Sequence, residues 1–365
     1  MIKKIYLKNF KCFEEITVDF KELNLFTGIN GMGKSTLIQS ILLLRQTYEK
    51  YNCSEWPRII LNGRYVNLGT IKDVSYWYRE DDDIKISVWE DEKKWEVIWS
   101  KEYVNLVLAQ AEESGHERYS LMGQGFEYVS AERLGPRRYY DNLEGEEYQL
   151  YQIGTRGERT VACLNDIGSD FKIYENMKHF SENSERLDQQ INAWMSEITP
   201  GIKINAIPYF DVNLMGLRYS SSSLMGEEST NPINMGFGVS YVLPIVTAIL
   251  KARKGDVIIL ENPEAHLHPK GQRRIGELVA LAASNGIQII METHSDHVLN
   301  GIRLAVKQGG IKSEQVQINY FYQYMSDKGI PKHDVTSPRI LQNGSLSNWP
   351  DGFFDEWDKA LDELF

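Results

Sequence analysis

The sequence predicts an α/β fold built around a phosphate-binding loop, with a mixed sheet, an antiparallel β subdomain and a helical or lid-like insertion. Three observations carry that expectation. Residues 28–36, Gly-Ile-Asn-Gly-Met-Gly-Lys-Ser-Thr, fit the pattern G-x-x-x-x-G-K-[ST] at every required position. Residues 257–260, Val-Ile-Ile-Leu, form an unbroken apolar run ending in Glu261, as a strand buried on both faces should. A second such strand, 287–291, ends in Glu292, Thr293 and His294, with a helical stretch between the two. Strand–helix–strand with acids and a histidine at the strand ends is the parallel-sheet pattern, and ligands of such sheets sit at those ends.

Taken in order, residues 2–8 alternate apolar and polar, and 16–20 predict a second strand before the third at 23–27. The phosphate loop follows, and its helix is expected from Lys34 to about Arg45. Leu37, Ile38, Ile41, Leu42, Leu43 and Leu44 cover most of that helix, so it should be buried. Glycines let backbone N–H groups turn inward around phosphates; Lys34 reaches the β/γ-phosphates and the Ser35 hydroxyl ligates Mg²⁺. Asn30, Gly31, Met32, Gly33 and Thr36 complete the expected cradle, and the helix N-terminus favours an anion through its macrodipole. A random chain of this length shows the pattern on the order of once in a hundred sequences, before the flanking strand and helix are required.

Asn62-Gly63 between the apolar runs 58–61 and 65–68 predicts a hairpin. Strands at 83–90, 94–100 and 102–109 make the N-terminal third strand-rich and mostly antiparallel, and 126–130 adds another, entering Ala131-Glu132-Arg133. From 140 to 230 the composition turns polar. One helix stands out there, because Leu187, Ile191, Trp194, Met195 and Ile198 recur at helical spacing before Pro200-Gly201; the stripe faces a core. Residues 220–230 are expected to be a flexible polar link. Gly236-Phe237-Gly238-Val239-Ser240 then precedes an apolar helix expected over 241–253. The expected division is an N-terminal ATPase half over 1–139, an insertion or lid over 140–230, a C-terminal half over 231–310 and an extension over 311–365.

Composition narrows the classes. Hydrophobic residues at 42% and charged residues at 25% describe an ordinary globular chain, and no apolar run approaches the roughly 18 residues of a membrane span. Met1-Ile2-Lys3-Lys4 has no apolar region behind it, so a cytoplasmic location is expected. Cys12, Cys53 and Cys163 lie far apart and predict reduced thiols rather than a zinc or disulfide framework. A formal net charge of -11 argues against a DNA-coating protein, although a local basic groove would still serve. The clusters Arg133, Arg137, Arg138 and Lys270, Arg273, Arg274 are read as solvated faces.

An apolar strand ending in an acid, downstream of a phosphate loop, is the Walker B arrangement. Mg²⁺ keeps several waters and needs one or two protein ligands, here Ser35 and Glu261, the latter acting through water. Glu264 is expected to orient or deprotonate the attacking water, and His294 to contact the γ-phosphate. His266, His268, His294 and His297 also invite a transition-metal reading, which the spacing does not favour: Pro269 opens a helix directly after His266-Leu267-His268.

Ile5-Tyr6-Leu7-Lys8-Asn9-Phe10-Lys11-Cys12-Phe13, the loop, Glu-Asn-Pro-Glu-Ala-His-Leu-His-Pro at 261–269 and Glu-Thr-His-Ser-Asp-His at 292–297 together resemble ABC-type ATPases of the RecF, SMC and overcoming-lysogenisation-defect groups. Ser130-Ala131-Glu132-Arg133, the stretch 234–240 and Trp-Pro-Asp-Gly-Phe-Phe-Asp at 349–355 resemble a bacterial, Septu-like subfamily. That subfamily carries a C-terminal domain of unknown function and is often found in anti-phage operons. The resemblance implies an ATP-binding, head-to-tail homodimer with two ATPs sandwiched between subunits. In it, Gly236, Gly238 and Ser240 stand where the signature motif lies, and His294 where the switch histidine lies. Three departures accompany it: Gly-Phe-Gly-Val-Ser replaces the usual signature, Asn262 stands at the usual catalytic glutamate, and no glutamine between Gln46 and Gln110 supplies a Q-loop.

About sixty residues follow the His294 helix, and they lack an Asp-x-Asp pair after a Glu-bearing strand. The expectation is therefore an ATPase that switches a separate effector, a nuclease or toxin, in bacterial defence. A RecF-like clamp that binds DNA directly is the alternative, and a self-sufficient nuclease using His266, His268 and Asp296 is the third reading.

Overall fold

The computed structural model describes all residues except 52–55, 92, 101–102, 109–119, 143–151, 224–225 and 365, and only the backbone of 104–108, 221–223, 226–228 and 358. In chain order the elements are β1 (Ile2–Phe10), β2 (Phe13–Asp19), β3 (Leu23–Thr27), α1 (Lys34–Tyr51), α2 (Ile71–Val74), β4 (Ile84–Glu90), β5 (Lys93–Trp99), β6 (Val104–Leu108), β7 (Phe126–Val129) and β8 (Tyr139–Asp141). There follow α3 (Thr160–Ile167), α4 (Leu187–Ile198), β9 (Ile202–Tyr209), β10 (Leu214–Ser223), β11 (Gly226–Thr230), α5 (Phe237–Lys251), β12 (Val257–Glu261), α6 (Pro269–Ser284), β13 (Gln288–Glu292), α7 (Asp296–Lys307), β14 (Val316–Met325), β15 (Pro331–Thr336) and α8 (Glu356–Leu364). They form two compact units: residues 1–126 with 313–341 and 345–365, and residues 127–312 with 342–344.

In the first unit, β2-β1-β4-β5-β6 make an antiparallel sheet. Strand β14 pairs parallel to β3 and antiparallel to β15, so this sheet is mixed. Strand β3 is buried along its whole length, and Phe13, Phe20, Phe26 and Phe321 meet edge-on or tilted behind it. Helix α1 runs six residues past its expected end. Polar side chains at Arg45, Gln46 and Thr47 do not turn the helix out of the core. They stay buried instead, because neighbouring loops satisfy them: Arg45 donates to the carbonyls of Leu121 and Gly123 at 2.9 and 2.6 Å, and Ile60 N–H donates to Thr47 Oγ1.

The expected hairpin around Asn62-Gly63 is reduced to one bridge, Asn62 with Asn67. Gln46 takes the ladder's place. Its Oε1 accepts from Tyr65 N–H at 3.2 Å and Val66 N–H at 3.0 Å, and its Nε2 donates to Ile60 O at 2.5 Å.

In the second unit, β12 and β13 pair parallel, with Glu261 level with Glu292 at their carboxyl ends, and β7 neighbours β12. A separate antiparallel sheet carries β8, β9, β10 and β11. Leu187, Ile191, Trp194, Met195 and Ile198 are the buried face of α4, as their spacing requires. The flexible link expected at 220–230 is instead the β10–β11 hairpin, with Tyr219 opposite Thr230 and Ser223 opposite Gly226. Serine side chains say little about pairing, because the ladder uses backbone groups and buried Tyr219 anchors its end. Cys163 is buried and Cys12 half-buried, both free thiols; Cys53 lies outside the described residues. No described helix is long and apolar enough to cross a membrane.

Candidate nucleotide site

The first unit holds the whole of the predicted cradle, between β3 and α1. Gly28, Gly31 and Gly33 have φ of +130°, +84° and +106°, all in the region that favours glycine. Two of them are also packed too closely for any side chain. A Cβ on Gly28 would stand 2.3 Å from the Phe321 carbonyl oxygen, and one on Gly33 would stand 2.4 Å from the Phe13 ring. Strand β14 and the β1–β2 turn thus shape the loop from behind, and His333 of β15 packs edge-on against Phe13.

Ile29, Asn30, Gly31 and Ser35 are exposed, Met32 and Thr36 half-buried. Lys34 is 2% exposed, and its Nζ donates to the carbonyls of Gly28 at 2.8 Å and Ile29 at 3.0 Å, closing the loop on itself. A phosphate oxygen is a stronger acceptor for the Lys34 ammonium than either neutral carbonyl.

The second unit brings Glu261, Glu264 and His294 together. Glu261 ends β12; its Oε2 accepts from Ala131 N–H at 3.1 Å, and Tyr128 hydrogen-bonds the same carboxylate. Asn262 turns the chain sharply, at φ +45°, a left-handed conformation that asparagine tolerates. Three residues on, Glu264 Oε1 accepts from His294 N–H at 2.7 Å and Oε2 accepts from the Thr293 hydroxyl at 2.9 Å. The elbow after β12 is therefore clamped to the loop after β13. Burial pushes both Glu261 and Glu264 carboxyls above the ordinary carboxylate value, against the opposing effect of these donors and Arg133. The exposed His294 ring lies 3.9 Å from Glu292.

Helix α5 begins at Phe237, four residues before its expected start, with Gly236 as its N-cap. A Cβ on Gly236 would meet nothing within 4 Å, whereas one on Gly238 would stand 2.5 Å from the His266 carbonyl oxygen. Gly238 thus lets α5 approach the elbow, and Gly236 faces open space. Ser240 points inward, its hydroxyl 3.1 Å from that of buried Tyr219.

The histidines singled out by sequence have local roles. His268 caps α6, its Nδ1 accepting from Lys270 N–H. His266, at φ +63°, lies tilted against Phe237 and edge-on to Tyr241. Among the described residues no group of three or more His, Cys, Asp or Glu is placed to hold a metal ion.

Sequence reasoning missed Arg133 and Thr293. Arg133 is not on a solvated face: it is 2% exposed and donates to the Ser130, Glu261 and Asn262 carbonyls at 2.7–2.8 Å. Its signal was position, just past the end of β7, where polar residues of a buried sheet gather.

Residues 1–152 match the family described as "AAA ATPase domain", residues 155–300 the one described as "AAA domain, putative AbiEii toxin, Type IV TA system", and residues 311–364 a "Protein of unknown function (DUF3696)". An OLD nuclease of Thermus scotoductus is 24% identical over 330 residues, covering 81% of this chain; the chain spans 59% of that relative's length. Among solved structures, the SmcHead bound to the C-winged helix domain of ScpA superposes with a TM-score of 0.54 at 14% identity, over 92% of this chain and 97% of that one. The Smc head domain with a coiled coil and joint from Pyrococcus yayanosii gives 0.51 at 11% identity, over 99% of each chain. The mixed and antiparallel sheets are those of the Smc-head, ABC-type ATPase fold.

Proposed function

We propose that the chain is an AAA-type ATPase and works as an ATP-driven dimeric switch on a separate effector, a nuclease or toxin, in bacterial anti-phage defence; the two AAA family matches, the likeness to an OLD nuclease and the Smc-head fold support the ATPase part of this reading. The observation that carries the reading is that each unit holds one built half-site: a glycine cradle closed by Lys34 in the first, and an acid elbow clamped to the His294 loop in the second. Lys34 and the backbone of residues 30–36 bind the triphosphate. Glu264 accepts a proton from the water attacking the γ-phosphorus as the bond to the bridging oxygen breaks and ADP leaves. His294 contacts the transferred phosphoryl group.

The donor set fits a hard divalent cation. Exposed Ser35 at the start of α1 and the Glu261 carboxylate would hold Mg²⁺, with Glu261 acting through water. Bound there, the ion neutralises phosphate charge. The entry of α5, Gly236 to Gly238 with Ser240 behind it, is the signature-like surface that meets the nucleotide of a second copy, head to tail.

Helix α8 supports a separate partner. Trp357, Leu361 and Leu364 share one face at i, i+4 and i+7; Trp357 is 71% and Leu364 74% exposed. Exposed Glu356, Asp362 and Glu363 lie on the other side, with Lys359 among them and paired to Asp351 and Asp355. That acidic flank opposes a second copy or an anionic membrane and suits an effector whose apolar groove has a basic rim. Direct DNA binding ranks second: Arg133 is buried, and Arg273 and Arg274 pair with Glu277 and Glu197.

Lys34→Ala tests the ATP reading. Loss of its charge-assisted bonds is expected to weaken ATP binding about 100-fold and to abolish ATP-dependent dimers in sedimentation. Wild-type protein that neither binds nor hydrolyses ATP ends the proposal. Leu364→Asp tests the partner reading: it should break ATP-dependent pull-down of the product of the neighbouring gene while leaving ATP turnover intact. Equal capture by both proteins, or altered self-association of the variant, would reject α8 as the effector dock.

A further inference from the structure

Arg133 has no part in the reaction just described, yet it is among the largest fully buried side chains of the protein. Burying a guanidinium costs several kcal/mol unless its donors are satisfied, so an apolar residue would fill the space more cheaply. Nη1 donates to the carbonyls of Ser130 at 2.8 Å and Glu261 at 2.7 Å, and Nη2 to that of Asn262 at 2.7 Å. Nε has no partner. Two of the three acceptors are backbone atoms of the elbow itself, immediately before and at its left-handed turn, and the third follows β7. Burial lowers the Arg133 pKa only to about 10, so the group stays cationic at neutral pH.

The Cζ atom of the same guanidinium lies over the ring of Tyr241, 5.2 Å from its centroid, in the second turn of α5. Tyr241 in turn meets Phe237 at 6.0 Å and His266 at 4.8 Å, and Phe237 is more than half exposed beside Gly236. One unbroken line of contacts thus runs from the open entry of α5, through Tyr241 and Arg133, to the carbonyls that aim the Glu261 and Glu264 carboxylates. A fork of donors to three carbonyls together with a cation over an aromatic ring is a combination that lysine's single ammonium does not reproduce.

We propose that Arg133 is a positioning residue that couples the entry of α5 to the acid elbow after β12, so that engagement of Gly236–Gly238 and alignment of Glu264 for hydrolysis occur together. This rests on the ATPase reading and adds to it the route by which one surface governs the other.

The test uses the full chain and four variants: Arg133→Met, Arg133→Lys, Tyr241→Leu and the double Arg133→Met/Tyr241→Leu. Arg133→Met is expected to lower kcat about 10- to 100-fold with KM for ATP within about twofold, because misplacement of a base by an ångström acts on turnover. Arg133→Lys should keep the charge, lose the fork and recover little. The double variant should be no slower than Arg133→Met, since both changes cut one line. Equal losses in binding and turnover, full recovery by lysine, or additive effects would overturn the proposal. If Arg133→Met fails to fold, Arg133→Lys and Tyr241→Leu decide the matter by the same kcat-against-KM split.

Hydrogen exchange provides a readout that does not need ATP. Tyr241→Leu should speed exchange of the Asn262, Glu264 and Ala265 amides when Arg133 is present, and add nothing when it is methionine. Wild type without turnover would therefore reject the ATPase reading while this exchange pattern still judged Arg133. Unchanged exchange at the elbow in Tyr241→Leu refutes the coupling.

Discussion

Between β3 and α1, the groups proposed to hold phosphate are backbone N–H groups and one lysine, all within nine consecutive residues. After β12 the corresponding machinery comes from four separate stretches, around Ala131, Gly236, Glu261 and Thr293. The first region is held by conformation: positive φ and contacts that exclude a Cβ. The second is held by side chains, with Arg133, Tyr128, Thr293 and Glu264 binding one another's loops. A site made of backbone tolerates no change of residue at its turns. A site made of struts instead has groups whose loss leaves the chain folded and spoils alignment.

The sharpest way to break that contrast is Glu264→Gln. As the proposed base its loss should slow turnover about 100- to 10,000-fold while ATP still binds and the dimer persists. Glutamine can still accept from His294 N–H, so the clamp survives in part. The sign of the pH effect is fixed by the raised carboxyl pKa, whose main cause is burial. The charged form is disfavoured in the folded protein, so Glu264 costs stability at neutral pH, and that cost disappears as pH falls through the folded pKa. The variant should therefore be at least as stable as wild type at pH 7, with the difference vanishing in acid. Activity runs the other way: wild-type turnover should fail on an acid limb above pH 4.5, the ordinary carboxylate value, because the base becomes protonated. Unchanged turnover in the variant would move the base elsewhere.

A paired glycine experiment comes next. Gly33→Ala forces a Cβ to within 2.4 Å of Phe13 at φ +106° and should cost about 2–3 kcal/mol, read as a lower urea midpoint, together with ATP binding. Gly236→Ala meets open space at φ -62° and should leave stability within about 0.5 kcal/mol. If α5's entry meets nucleotide across a dimer, that same variant loses ATP-dependent dimerisation. A Gly236→Ala protein that dimerises normally would make the entry a packing feature and remove the signature reading.

Legibility followed the same divide. The phosphate loop, β12, β13 and the buried stripe of α4 were readable because each is a contiguous pattern of one period. The long tail of α1, the Gln46-pinned loop and the β10–β11 hairpin were not. The hairpin is paired by backbone groups that its serines do not signal. The first two depend on a polar group whose partner lies elsewhere in the chain, as with Gln46 and Tyr65 or Thr47 and Ile60. Arg133 was misread for that reason: as a string of letters, Arg133, Arg137 and Arg138 look like one solvated cluster. Only the partners of Arg133 separate it from the others.

Ser240→Ala has the smallest expected effect and bears on what α5 offers a partner. By sequence Ser240 closes the stretch that stands where the signature lies, and serine there suggests a phosphate contact. Its hydroxyl is buried 3.1 Å from that of Tyr219, itself 1% exposed, so it joins α5 to β10. Removing it leaves a buried phenol short of one partner and should cost about 1 kcal/mol, read as a small fall in Tm. If Gly236 and Gly238 alone carry the contact, turnover and ATP-dependent dimerisation stay at wild-type levels. A loss of dimerisation without any fall in Tm would mean instead that Ser240 turns outward when nucleotide binds, and that the Tyr219 contact belongs to the nucleotide-free state.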